Sequence, residues 1–263
     1  MKDYLINQNW QDYTESEHEM WRTLFKRQEK VLEGRVVPVF LDGVRELGMA
    51  ASGIPRFEAL SDILKQRTGW EVVAVPGLVP DDVFFRLLAE KKFPSTCFIR
   101  KPEQIDYLQE PDIFHDVFGH VPLLINPIFA DYMQYYGEAG LKALGQDCLH
   151  RLARLYWYTV EFGLIQTDEG LRTYGAGIVS SYSETIYCVE DPKPNRIMFD
   201  LKRVMRTNYR IDDFQETYFV VPSFESLFDA TKAQDFHPIY NELAPLPDFA
   251  ANEVLKCDEL VLI

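Results

Sequence analysis

Apolar residues recur at helical spacings of three and four through most of this chain, and alternate only in brief runs. Residues 15–33 place Trp21, Leu24, Phe25 and Val31 on one stripe among Glu, Lys and Arg, which predicts an amphipathic helix. Further helices are predicted from near Val37 to Gly48 and over 56–67, the latter stopping before Thr68-Gly69. WEVVAVPG, 70–77, is a β-branched run closed by Pro76-Gly77 and predicts a strand. Pro80 and two acids then open a helix expected to bury Val83, Phe84, Leu87 and Leu88.

TCFIR, 96–100, predicts a second strand, and the polar stretch 101–112 a loop leading into a helix over 112–119. Longer helices are expected over 128–144 and 147–165, with further helical segments at 199–209 and 223–234 and a third strand at 218–221. Helices dominate and the strands are short, so the fold class is α+β, mainly helical, with small short-stranded sheets.

Composition narrows this picture. At 263 residues and 47% hydrophobic, with scattered Pro and Gly and no linker or repeat, the chain reads as a single domain, 1–263. Its net charge of −14 disfavours nucleic acid and anionic membrane surfaces as partners. The start MKDYLINQNW is not a signal peptide and no apolar run is long enough to span a membrane, so a cytoplasmic location is expected. Cys97, Cys148, Cys188 and Cys257 are far apart without a CxxC pair, which fits reduced thiols and not a structural zinc site.

The densest chemistry is PDIFHDVFGHVP, 111–122, holding His115 and His120, two of only five histidines. Five residues turn through about 140° on a regular α-helix, so the two rings would not share a face. Gly119 and Pro122 offer a remedy, by loosening the helix end and letting His120 swing back. A third donor, Glu161, sits inside the apolar, aromatic run YWYTVEFGL. A buried carboxylate there is costly unless a cation compensates it. Two imidazoles and a carboxylate form the facial triad of non-haem iron(II) oxygenases, although zinc accepts the same ligands.

Three motifs in order, EPDIFHDVFGHVPLL, LYWYTVEFGL and YGAGIVSSYSE, resemble the catalytic domain of the pterin-dependent aromatic amino acid hydroxylases over roughly residues 70–220. The resemblance implies iron ligands at His115, His120 and Glu161, the trio reached from chemistry. It implies that Arg100 holds the substrate carboxylate, oriented by Asp112, with Ser180 near that carboxylate and Trp157 and Gly177 as pocket walls. On the cofactor side it implies Phe84 stacked on the pterin, the backbone of Gly77, Leu78 and Val79 along its edge, and Asp116, Tyr156 and Tyr209 nearby. Glu184 matches an acid expected to brace a ligating histidine.

Two positions depart from the common family pattern, with Asp116 where Glu is frequent and Leu108 where animal members tend to have Thr. The regulatory region and long carboxy-terminal tetramerisation helix of animal members have no counterpart here, which resembles the compact bacterial enzymes and implies a monomer or small homo-oligomer. By resemblance the reaction is hydroxylation of L-phenylalanine to L-tyrosine with O2, iron(II) and a tetrahydropterin. Apolar Ile211, just past Tyr209, agrees with phenylalanine over tyrosine or tryptophan. The alternative from another class is a zinc hydrolase on the same triad, with Asp116 in the place of the missing HExxH glutamate.

Overall fold

The computed structural model describes residues 4–106, 108, 110–232 and 236–263. Residues 107 and 109 of the expected loop and the end of the helix expected over 223–234 lie outside them.

Helix α1 (Glu15–Leu32) begins at a reciprocal capping box between Thr14 and Glu17, and buries Trp21, Leu24, Phe25, Val31 and Leu32 as its stripe predicts. Helices α2 (Pro38–Glu46) and α3 (Phe57–Arg67) follow, then β1 (Glu71–Ala74), α4 (Asp81–Ala89) and β2 (Lys92–Ser95). The strands β1 and β2 pair in parallel through the α4 crossover. The second strand therefore falls just before TCFIR, not on it. Strand β1 is four residues long, and its partner ends where it ends. Backbone groups of 96–100 bond elsewhere: Thr96 N–H donates to Asp116, Arg100 N–H donates to Asp112, and Phe98 C=O accepts from Ile113 N–H.

On α4 the buried side chains are Val83, Phe85, Leu87 and Leu88, so Phe85 takes the core position expected of Phe84. Helix α5 (Pro127–Ala143) presses against this helix, and a Cβ on Gly140 would lie 2.0 Å from the Phe85 ring. That close approach leaves Phe84 half-buried on the neighbouring face.

The predicted helix over 147–165 is α6 (Leu149–Tyr156) continued by a π-helical turn, Trp157–Glu161. Beyond it come β3 (Leu164–Thr167), β4 (Gly170–Thr173), α7 (Ala176–Val179), α8 (Tyr182–Glu190), β5 (Asn195–Met198) and α9 (Leu201–Met205). Strand β6 (Thr217–Val221) and helices α10 (Phe224–Lys232) and α11 (Phe236–Leu243) complete the order. The second sheet runs β4-β3-β6-β5, with β3 antiparallel to β4 and parallel to β6. One apolar cluster reaches from Trp21 to Leu243, and the two histidines lie on a segment whose neighbours Phe114, Val117 and Phe118 belong to it.

Candidate metal centre and its surroundings

The two histidines are brought together by a change of winding, not by a broken helix end. Phe114–His120 is π-helical, so residues five apart stack along one side and His115 and His120 face the same point. Val121 keeps right-handed helical angles before Pro122 (φ −68°, ψ −34°), so the swing expected there does not occur. Gly119 serves packing: a Cβ on it would sit 3.0 Å from the Ala176 carbonyl of α7. Glu161 ends the second π-helical turn, in which Phe162 N–H donates to Trp157 C=O at 2.8 Å. Both ligand segments thus use the same uncommon winding.

His120 Nε2 lies 3.2 Å from Glu161 Oε1, His115 Nε2 lies 3.5 Å from Glu161 Oε2, and the two Nε2 atoms are 3.3 Å apart. Ligands bonded at about 2.1 Å would be spaced by about 3.0 Å at right angles and about 3.4 Å tetrahedrally. The triangle is of the size a first-row metal needs. Among the described residues these three form the one group of His, Cys, Asp or Glu donors that could hold a metal ion.

Hydrogen bonds fix the protonation of His115. Ser180 Oγ donates to Ala176 C=O at 2.7 Å, so toward His115 Nδ1, 3.0 Å away, it accepts. The proton therefore sits on Nδ1 and the Nε2 lone pair faces the centre. Burial holds the His115 imidazolium pKa down at about 4, so the ring is neutral at pH 7. Burial alone would raise Glu161, but the two imidazoles and the Gly177 backbone lower it into an ionised carboxylate. Two imidazole nitrogens and one carboxylate converging on one point are a donor set that fits a divalent cation.

Beside the triad, Arg100 and Asp112 are buried and joined by two parallel bonds of 2.9 Å, from Nε and Nη2. Burial would raise the Asp112 pKa; Arg100 and the backbone N–H groups of His115 and Arg100 outweigh it and lower it. Asp112 Oδ1 also accepts from His115 N–H at 3.0 Å, which ties the anchor arginine to the metal segment.

Trp157 stacks on Tyr209 at 4.2 Å and 15° and packs against Phe162 at 4.8 Å. Gly177 lies beneath Phe162, where a Cβ would approach the ring to 2.8 Å. Tyr209, expected on the cofactor side, thus joins the aromatic wall assigned to the amino acid. Leu108 is half-buried, and Ile211, 74% exposed, stands in the turn after Tyr209.

On the other flank Phe84 meets Tyr156 edge-on at 5.7 Å, and Tyr156 faces the His120 ring at 6.3 Å. Leu78, 78% exposed, and half-buried Gly77 and Val79 form the loop before α4. A Cβ on Gly77 would meet nothing within 4 Å, which leaves room for a flat ring against this backbone. These residues fit a pterin. Asp116 is differently engaged: its Oδ2 accepts from Thr96 N–H at 2.8 Å and Thr96 Oγ1 at 3.0 Å, which also occupies the base of the hydrolytic alternative.

Ser180 and Glu184 have other hydrogen-bond partners than the resemblance names. Ser180, expected at the substrate carboxylate, bonds the ligating His115, whereas Glu184, expected to brace a histidine, accepts from Tyr218 O–H and from Gln215 N–H. Burial pushes the Glu184 pKa up from 4.5 to about 7, with Tyr218 and Gln215 opposing it and Asp213 adding to it. The folded state therefore favours the protonated acid, and stability falls as pH rises from 4.5 through 7. Unfolding free energies from urea titrations of wild type and Glu184→Gln between pH 5 and pH 8 should diverge by up to about 3 kcal/mol, wild type losing ground at high pH. Parallel pH profiles would contradict this.

Sequence reasoning also missed Gln215. It lies after an exposed, polar turn, but is 2% exposed and bonds the indole of Trp157.

A family profile described as biopterin-dependent aromatic amino acid hydroxylase matches residues 7–240, well beyond the 70–220 of the motif resemblance. The phenylalanine-4-hydroxylase of Ralstonia nicotianae is 58% identical over 259 residues, 98% of this chain and 82% of that protein. That of Caulobacter vibrioides is 57% identical over 98% of this chain and 88% of its own. Among solved structures, the iron- and phenylalanine-bound phenylalanine hydroxylase of Chromobacterium violaceum superposes with a TM-score of 0.94 at 52% identity, covering 98% of this chain and 94% of that one.

Proposed function

This chain belongs to the biopterin-dependent aromatic amino acid hydroxylases, and from that premise we propose which of its residues carry out the hydroxylation of L-phenylalanine. The enzyme uses iron(II), a tetrahydropterin and O2 and yields L-tyrosine. His115, His120 and Glu161 hold the iron; the observation that carries this is the convergence of their three donor atoms at 3.2–3.5 Å. Iron and pterin together supply the activation of oxygen, and the protein supplies position.

Arg100, preset by Asp112, takes the substrate carboxylate, and Trp157 with Gly177 walls the ring. Ser180 acts through His115, holding its Nε2 toward the metal. Phe84 stacks on the pterin beside Tyr156, with the backbone of Gly77, Leu78 and Val79 along its edge. Asp116, accepting from Thr96 N–H, and Glu184, accepting from Gln215 N–H, orient backbone around the site. Bringing ring and oxygen together while water is excluded is what these contacts do for the rate.

No helix among the described residues is long and apolar enough to cross a membrane. A single catalytic domain and a monomeric or small homo-oligomeric state complete the reading, with a cytoplasmic location that four free cysteines support.

The test is turnover of L-phenylalanine by iron-loaded protein with tetrahydropterin, scoring tyrosine, alongside Phe84→Ala. Wild type should form tyrosine, and the variant should need about tenfold more pterin for half-maximal rate, as loss of one aromatic stacking surface predicts. Absence of tyrosine would sink the activity; an unchanged pterin requirement would remove Phe84 from the cofactor site.

A further inference from the structure

Residues 210–214 form an exposed turn, and the chain then enters β6 through Gln215, whose side chain is enclosed and has its amide engaged at both ends. Its Oε1 accepts from Trp157 Nε1 at 2.9 Å, and its Nε2 donates to Arg210 C=O at 2.8 Å. Its backbone N–H donates to Glu184 Oε1 at 3.3 Å. The indole has one donor, and this is its partner. The other face of the turn is also tied to the indole, because Tyr209, next to Arg210, stacks on it. One amide thus closes a ring of contacts from Trp157 through Gln215 and Arg210 to Tyr209.

We infer that Gln215 is a positioning residue that sets the angle of the Trp157 indole, and through it the shape of the wall against which the substrate ring lies. This rests on the assignment of Trp157 to the amino acid pocket. An indole held at one edge by a hydrogen bond and on one face by Tyr209 has its rotation about the side-chain bonds fixed before substrate arrives, so ordering is not charged to binding. Trp157 also opens the π-helical turn that ends in Glu161, so a general disturbance of this turn would reach the metal, whereas a turned indole would not.

That difference makes the inference testable. Gln215→Met keeps the length of the side chain and removes both amide bonds. With iron-loaded protein, its KM for phenylalanine should rise about tenfold, as expected for one lost buried hydrogen bond. Its kcat should stay within about threefold of wild type, and its iron content and its KM for tetrahydropterin should not change. Tyrosine formed per pterin oxidised should fall, because a substrate ring held out of place would be hydroxylated in fewer of the turnovers that consume pterin. In a Trp157→Phe background, which lacks the indole N–H, adding Gln215→Met should raise KM no further.

An unchanged phenylalanine KM, or iron content and pterin KM deteriorating in parallel with it, would overturn the inference. So would additive effects in the double variant. Trp157→Ala separates the two levels: if it leaves the phenylalanine KM unchanged, the pocket assignment itself fails, and if it raises KM while Gln215→Met does not, only the role of Gln215 fails. Should Gln215→Met not fold, Gln215→Asn, too short to reach both partners, is read in the same way.

Discussion

Glu161→Ala should purify with little iron and form tyrosine at a rate lower by two to three orders of magnitude. Removing one donor leaves His115 and His120 alone on the face they share, 3.3 Å apart at Nε2. Structural zinc held by four ligands in zinc-finger peptides binds with about 10–16 kcal/mol, about 2.5–4 kcal/mol per ligand, and on that scale the loss of one costs about 70- to 900-fold in affinity. The carboxylate contributes the site's only negative charge among the three, so its share is at the upper end. Metal analysis after dialysis reads the loss directly. A second measurement is the rise in melting temperature when iron(II) is added, which follows from binding to the folded state alone and should vanish in the variant. Ser180→Ala provides the graded comparison: it removes the acceptor for His115 Nδ1–H and should weaken iron about 10- to 100-fold without abolishing it. If Glu161→Ala retained stoichiometric iron, Glu161 would not be a ligand.

How much of this was legible beforehand differs from residue to residue, for physical reasons. Glu161 stood out because an ionisable group in an aromatic run must be compensated, and that requirement is local to the sequence. The pairing of His115 with His120 was legible as chemistry but not as geometry. A spacing of five contradicts a regular α-helix, and the π winding that brings the two rings together is announced by no local pattern. Arg100 was assigned by the family resemblance, and its segment was taken for a strand. Its backbone bonds in fact go to the acids of the metal segment, partners far enough along the chain that propensity carries no trace of them. The strands β3, β4 and β5, each of four residues, are too short for alternation to register.

Ser180 and Glu184 show the limit of carrying roles over by motif. Both lie where the resemblance puts functional groups, and both are buried and hydrogen-bonded, yet the side chain that reaches the histidine is the serine. Gln215 was invisible for a different reason, since a glutamine after Asp212, Asp213 and Phe214 reads as part of a solvated turn. The partner of its amide oxygen is Trp157, 58 residues away in the chain.

Asp112→Ala should cost about 3–5 kcal/mol of folding stability, a large share of the roughly 5–15 kcal/mol that holds a domain together. Asp112 is fully buried and accepts four hydrogen bonds, from Arg100 Nε, Nη2 and N–H and from His115 N–H. Truncation strands a guanidinium and two backbone donors without water, so the loss reflects the unpaired partners more than the bond itself. Urea denaturation at neutral pH should show the lowered midpoint with an unchanged slope. Replacing both partners, in Arg100→Met with Asp112→Leu, should recover part of the stability, because no buried charge is then left unpaired and only the backbone N–H groups of residue 100 and His115 still lack their acceptor. Phenylalanine binding should not recover with it: a thioether cannot take a carboxylate by two parallel hydrogen bonds, and KM should stay raised by about two orders of magnitude, the worth of a charge-assisted pair. A double variant that is stable and iron-loaded but indifferent to phenylalanine would separate the two functions of this ion pair, one in the fold and one toward substrate. A double variant with wild-type KM would show instead that Arg100 serves the fold alone.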